Sequence, residues 1–149
     1  MAIFHFKLKT LHRLKVQLED QAKNRLGLAV SIHNAETAKL NHMKSVIAAT
    51  LDEFREMSGR CFSAGDVRDY NFFIDAMKKK AKIQKAAVDK AKEAVDEARR
   101  LLVLAARQRE MFDKLREKAF ARYLEDEKYS ERLVVDGLIS YRGNTLNNF

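Results

Sequence analysis

The chain has no proline, no tryptophan, a single cysteine and only five glycines in 149 residues. Without proline no turn or kink is enforced, and the punctuation expected of a domain built from many short elements is missing. A single cysteine, Cys61, excludes an intrachain disulfide and fits a reducing compartment. Long apolar runs are lacking too. The longest are "LLVLAA" at 101–106 and "VIAATL" at 46–51, far short of the ~20 residues that span a bilayer. The opening "MAIFHFKLKTLHRLK" has no long apolar block and no small-residue cleavage site, so no secretion signal is expected. Nor is there a glycine-rich phosphate loop. These absences predict a cytoplasmic protein with no transmembrane segment.

What is present points to long helices. Charged residues make up 34% and hydrophobic ones 46% of the chain, with Ala, Leu, Lys, Arg and Glu abundant, the mixture of extended helices and coiled coils. The formal net charge of +8 favours acidic partners, whether nucleic acid, anionic lipid or an acidic protein surface.

Apolar positions in the first third follow one another as Leu8, Leu11, Leu14, Leu18, Ala22, Leu26, Ala29, Ile32, Ala35, Leu40, Met43, Ile47, Leu51, Phe54 and Met57. Fourteen steps cover 49 residues, a mean of 3.5, which is the seam of a left-handed coiled coil. One step, Ala35 to Leu40, is irregular. The only interior cluster of helix breakers is "SGRCFSAGD" at 58–66. There Gly59 suits a left-handed helix C-cap, and Ser63 or Asp66 suits the cap of a following helix. The seam resumes at Tyr70, Phe73, Met77, Ala81, Gln84, Val88, Ala91, Val95, Ala98, Leu102, Ala105, Arg109 and Phe112, again at 3.5 per step.

Two long helices joined by a short tip must lie antiparallel. The predicted fold is all-α: a long two-helix coiled-coil hairpin forming one domain. Helix 1 is expected over about 4–57, the tip over 58–65, helix 2 over about 66–141 and a polar tail over 142–149. At ~1.5 Å per residue the first helix would be about 75 Å long and the second about 110 Å, leaving roughly 25 residues of helix 2 overhanging.

Few side chains suggest chemistry. His5, His12, His33 and His42 are not spaced three or four apart, as metal ligands on one helix face would be. Cys61 sits on the tip without a pocket to hold a base beside it. Carboxylates are interleaved with lysine and arginine, as in "REKAFARYLEDEKYSER", which is the pattern of a solvated helix face. No cofactor, metal or catalytic group is expected, and the protein is read as not an enzyme. Lys78, Lys79, Lys80, Lys82 and Lys85 form a basic face, continued by Lys90 and Lys92 and opposed only by Asp89 between 78 and 92. It is a solvated face or a site for an acidic protein. Nucleic acid is disfavoured, because no aromatics are interleaved for base stacking. The stretch "IFHFKLKTLHRLK" carries four Lys/Arg and no acid, so it is either the end of the seam or an anionic-membrane contact. Beyond the tip, Tyr70, Phe72, Phe73 and Ile74 crowd into one and a half turns. That is more than a two-helix seam can bury, so an exposed apolar patch including Tyr70, Phe72 and Ile74 is expected.

The whole chain resembles the FliJ family of the bacterial flagellar export apparatus. The likeness rests on the aromatic-basic opening "FHFKLKTLHRLKVQLED" and on a glycine-containing tip near residue 60. It rests also on the post-tip "YNFFIDAM", similar to the family's Tyr-x-x-Phe-Ile-x-x-Leu, and on the end "LREKAFARYLEDEKYSERLVVDGLISYR". The resemblance implies a non-enzymatic, antiparallel coiled-coil stalk in the pore of the hexameric export ATPase. It further implies that the stalk promotes the hexamer, contacts the cytoplasmic part of the membrane export gate and handles export chaperones. Such a protein is cytoplasmic and peripherally associated with the inner membrane at the flagellar base. Family residues implicated at the gate correspond to Phe73 and Met77, with methionine in place of leucine. Lys80 and Gln84 depart from the family's pattern, as does Gly137 within "VVDGLISYR". Three alternatives stand beside this reading: the equivalent stalk of a virulence-type secretion system, a basic hairpin that binds nucleic acid, and a hairpin lying on an anionic membrane surface.

Overall fold

The computed structural model of the protein describes residues 3–60 and 62–146. It is all-α, with α1 spanning Lys9–Met57 and α2 spanning Ala64–Leu146. The two helices form an antiparallel hairpin divided into two compact units: Asp20–Val103, and Met1–Glu19 together with Leu104–Phe149. Cys61 lies outside the described residues.

In the unit Asp20–Val103, low numbers on α1 face high numbers on α2. Gln84 Nε2 donates to the Glu36 carbonyl over 3.0 Å, and the rings of Phe54 and Tyr70 lie 5.4 Å apart. Ala22, Leu40, Ile74, Ala91 and Val95 are buried, and Leu26, Met43, Ile47, Leu51, Met77, Val88 and Leu102 are half-buried around them. No large side chain among the described residues is fully enclosed, as expected of a seam closed from two sides only. Alanines at 81, 91 and 98 let the backbones approach, so packing comes from many shallow contacts.

The tip is held by rings and a cap. Phe54, Phe62 and Tyr70 pack mutually at 5.4 to 6.0 Å, and the Tyr70 hydroxyl donates to Met57 Sδ at 3.3 Å. Ser63 caps α2. The Asp66 N–H donates to Ser63 Oγ at 3.2 Å, while the Ser63 N–H donates to Asp66 Oδ2 at 3.1 Å. This reciprocal pair satisfies two donors that a helix start leaves orphaned. Hydrogen bonds from the Ser63 hydroxyl and backbone hold the Asp66 carboxyl below its ordinary range. Gly59 does not supply the left-handed cap expected of it: no described glycine has positive φ, and α1 ends in tight turns from Ser58 N–H to Phe54 O and Arg60 N–H to Met57 O.

In the other unit α1 begins at Lys9, later than the expected 4, and residues 3–8 are not helical, with Phe4 set against α2. Aromatic burial decides this. Phe4 packs edge-on to Phe120 at 5.1 Å and beside Tyr123 at 5.5 Å, and Phe6 is buried. Phe6 also meets the His12 ring edge-on at 6.3 Å, and the first turn of α1 carries no acidic residue to favour extension. Beyond Glu127 every described residue from Lys128 to Thr145 is exposed, so this end of α2 overhangs. The helix runs to Leu146, past the expected end near 141, because neither Gly137 nor Gly143 leaves helical geometry.

Over its first two turns the seam of α1 is not where its leucines are. The inward positions are His12, Lys15, Val16 and Glu19, then Ala22, Leu26, Ala29, His33, Glu36 and Leu40. Leu8, Leu11, Leu14, Leu18, Ile32 and Ala35, expected in the seam, are exposed, as is Met57 at the helix end. The α1 helix carries two apolar stripes one residue apart, and polar side chains occupy part of the inner one. On α2 the expected seam holds with one exception: Ile74 is buried and its neighbour Phe73 is not.

Candidate functional site

Near the tip, in the unit Asp20–Val103, the post-tip segment divides. Phe72 is 79% and Phe73 45% exposed, Tyr70 and Met77 are half-buried, and Ile74 is only 7% exposed. The crowd of four bulky groups is resolved by burying Ile74 in the seam and stacking Tyr70 on Phe54 and Phe62. The solvent-facing patch is therefore Phe72 with Phe73, not Tyr70, Phe72 and Ile74. Sequence spacing missed this because Phe73 and Ile74 both fit a 3.5 repeat, and only the choice of neighbour decides between them.

Lys78, Lys79, Lys80, Lys82 and Lys85 are all exposed, and none makes an ion pair among the described residues. On α1, Lys39 and Lys44 are also exposed. The nearest carboxylate across the helices, Glu36, is already engaged: it accepts from Gln84 Nε2 and from Lys39 Nζ at 3.1 Å. Those bonds, Gln84 first, hold Glu36 below its ordinary range, so it stays ionised but committed. The charge of these α2 lysines is therefore not taken up by Glu36.

In the other unit a polar cluster lies within the seam. Arg109 donates to Glu19 and to Asp113, while His12 Nε2 lies 2.5 Å from Asp113 Oδ1. Glu19 is buried at 6% exposure. The Glu19 carboxylate raises the Arg109 pKa above its ordinary value, and the hydrogen bond from His12, then the Arg109 charge, lowers that of Asp113. A signal was present in sequence: Arg109 falls in the α2 seam, and an inward arginine demands a carboxylate opposite it. Around the same region Phe4, Phe6, Lys9, His12, Arg13 and Arg116 border a surface cleft of about 440 Å³. Farther along α2, Tyr129, Leu133, Val134, Val135, Leu138 and Tyr141 are more than half exposed and meet no other helix in this unit. Among the described residues no group of three or more His, Cys, Asp or Glu could hold a metal, and no helix is long and apolar enough to cross a membrane.

These features define an all-helical hairpin protein with exposed aromatics near the tip, a run of exposed lysines and an exposed end of α2. A family model described as "Flagellar FliJ protein" matches residues 4–145, nearly the whole chain. The chain belongs to the FliJ family, which makes it a component of the flagellar export apparatus. No curated protein and no solved structure matches it.

Proposed function

We propose that the protein is the non-catalytic stalk of the flagellar export machinery. Its helix termini engage the hexameric export ATPase and promote the hexamer, and its tip-proximal face reaches the cytoplasmic part of the membrane export gate. The observation that carries this reading is the end of α2: eighteen consecutive exposed residues, 128–145, with apolar groups among them and no packing partner from α1 among the described residues. A lone helix in water is marginal, so such a segment is stabilised by docking, and a ring pore offers surfaces on all sides. Two packed helices are ~20 Å across, a width a pore can admit. A ligand that binds the assembled ring and not its free subunits shifts assembly by mass action. Phe73 is the stronger gate residue of the pair suggested by resemblance, since Met77 has part of its surface in the seam; Phe72 belongs beside it. Export-chaperone handling and peripheral association with the inner membrane follow from the same family likeness.

ATP hydrolysis by the cognate flagellar ATPase, measured where the ATPase alone is mostly monomeric, tests the reading. The full chain raises the rate. A chain ending at Lys128 keeps the Phe4, Phe120 and Tyr123 packing and loses the stimulation. Stimulation that survives this truncation would move the contact elsewhere. No stimulation and no co-migration with the ATPase would sink the stalk reading and favour a hairpin that acts through its basic face.

A further inference from the structure

The basic opening of the chain and the cleft of about 440 Å³ in the terminal unit coincide. Lys9 and Arg13 stand on the wall made by α1, with His12 and Val16 on the same wall, and Arg116 borders the cleft from α2. Phe4 and Phe6 belong to its lining, and no acidic residue does. Lys9, Arg13 and Arg116 are exposed, and none makes an ion pair among the described residues. On α2 the carboxylates closest in sequence to Arg116, Asp113 and Glu117, border a neighbouring cleft instead. Asp113 is already engaged by His12 and Arg109. The first turn of α1 carries no acidic residue, so no carboxylate there offsets the positive end of the helix dipole. Three cations therefore border one concavity without a counter-charge in its lining. A cleft of one sign concentrates ligands of the other.

We propose that this cleft binds a short acidic segment of a partner protein, with two carboxylates flanking an apolar side chain. Lys9 and Arg13 are about one turn apart, roughly 6 Å along α1, and Arg116 comes from the other helix. Cations spread in this way suit separate carboxylates better than one compact phosphate. Arg13 and Arg116 can each hold a carboxylate through two parallel N–H donors, a geometry that lysine lacks. Phe4, Phe6 and Val16 give the apolar side chain its surface. The volume lies within the range of ligand sites, about 300–1,000 Å³. A bilayer is the poorer fit. Phe6 is buried and Phe4 is packed on Phe120 and Tyr123, so neither ring is free to insert. The site goes beyond the ring contact carried by 128–145 and shares no residue with it, nor with Phe72 and Phe73.

The test uses the full chain and a dye-labelled synthetic peptide in which two glutamates flank one leucine between glycines. One matched peptide has glutamine for glutamate, and another has glycine for leucine. The glutamate peptide binds, and the glutamine peptide binds at least about tenfold more weakly, with a difference that shrinks as salt rises. The peptide without leucine is also weaker. Arg13→Glu and Arg116→Glu each weaken the glutamate peptide by about tenfold or more. Both positions are exposed, so helicity is unchanged. The double variant Lys114→Glu with Lys118→Glu reverses two charges outside the lining. At physiological salt it leaves the affinity within about twofold, because screening acts over about 8 Å. Equal binding of the glutamate and glutamine peptides, or of neither, overturns the proposal, and so does indifference to the leucine. A loss in the Lys114 and Lys118 variant as large as that in Arg13→Glu overturns it too, since the attraction is then to the basic chain as a whole. Inorganic phosphate bound in the peptide's place, and lost in Arg13→Glu, would overturn it in favour of a phosphate site. Phosphatidylserine vesicles bound in its place with the same variant sensitivity would give the cleft to a membrane surface.

Discussion

The two units solve the same packing problem with different chemistry. Between Asp20 and Val103 the buried positions are Ala22, Leu40, Ile74, Ala91 and Val95, and the outside carries lysines. In the unit holding both termini the seam runs through His12, Lys15, Glu19, Arg109 and Asp113, and the leucines stand outside. A two-helix seam is too narrow to be dry, so it tolerates ionic groups that a globular core would exclude, provided each has its partner. Where the inner stripe is apolar, the outer face is free to be basic. Where it is ionic, apolar residues are free to face a third body.

The difference can be pushed hardest at Leu40. Truncation to Ala at this buried position costs about 2–3 kcal/mol, the lower part of the usual range because a two-helix seam partly relaxes. Amide exchange then accelerates in segments 20–57 and 64–103. If exchange in those segments is unchanged, the apolar account of this unit fails. Next in size is the ionic pair. Glu19→Leu leaves Arg109 inward with Asp113 as its one remaining carboxylate and lowers the thermal midpoint, whereas Glu19→Leu with Arg109→Leu recovers most of the loss, since apolar replacement of both partners is often neutral or better. A double variant as unstable as the single would show that Glu19 acts through something other than Arg109.

A smaller effect separates the units by pH. Asp113 is held below its ordinary carboxyl range by His12 and then Arg109. Its folded value lies below its unfolded one, so its contribution is present above roughly pH 4 and is lost as pH falls through the folded value. Urea unfolding across that range compares the parent with Asp113→Asn. The two curves converge toward low pH and separate above it; a constant gap would mean the carboxylate charge is not involved. The smallest effect is at Gly137, where an added Cβ meets nothing within 4 Å and the backbone is helical. Gly137→Ala strengthens the free end of α2 by about 0.5–1 kcal/mol, visible as slower amide exchange over 130–144. No slowing would mean that this end is already ordered by something other than helix propensity.

How much of this was legible in sequence follows the same divide. The α2 seam from Met77 to Phe112 could be read because apolar residues occupy it at the right spacing. The hairpin and its tip could be read because only one breaker cluster interrupts the repeat. On α1 a mean of 3.5 concealed a slip between two stripes. The steps Leu14, Ala22 and Leu26 cross from the outer to the inner one, Ile32 and Ala35 cross back, and the long step to Leu40 returns inward. Hydrophobicity counts both stripes alike. Which one is inside depends on what the opposite helix offers, and Arg109 with Asp113 offers charge. Phe73 and Ile74 were confused for the same reason. The fold of residues 3–8 rests on ring packing against Phe120 and Tyr123, contacts more than 100 residues apart that no local pattern contains.

The ionic seam also bears on how a repetitive chain avoids misalignment. Heptads look alike, and sliding α2 by one of them would still match apolar rows to apolar rows in much of the hairpin. One slide would set Glu19 against Arg116, an acceptable exchange, but would bring His12 toward Phe120 and strand Asp113. The opposite slide would set Glu19 against Leu102. Neither shift satisfies both pairs together. Two fixed ionic contacts a heptad apart thus act as a two-digit address for strand pairing, correcting a register error that the apolar repeat alone would let pass.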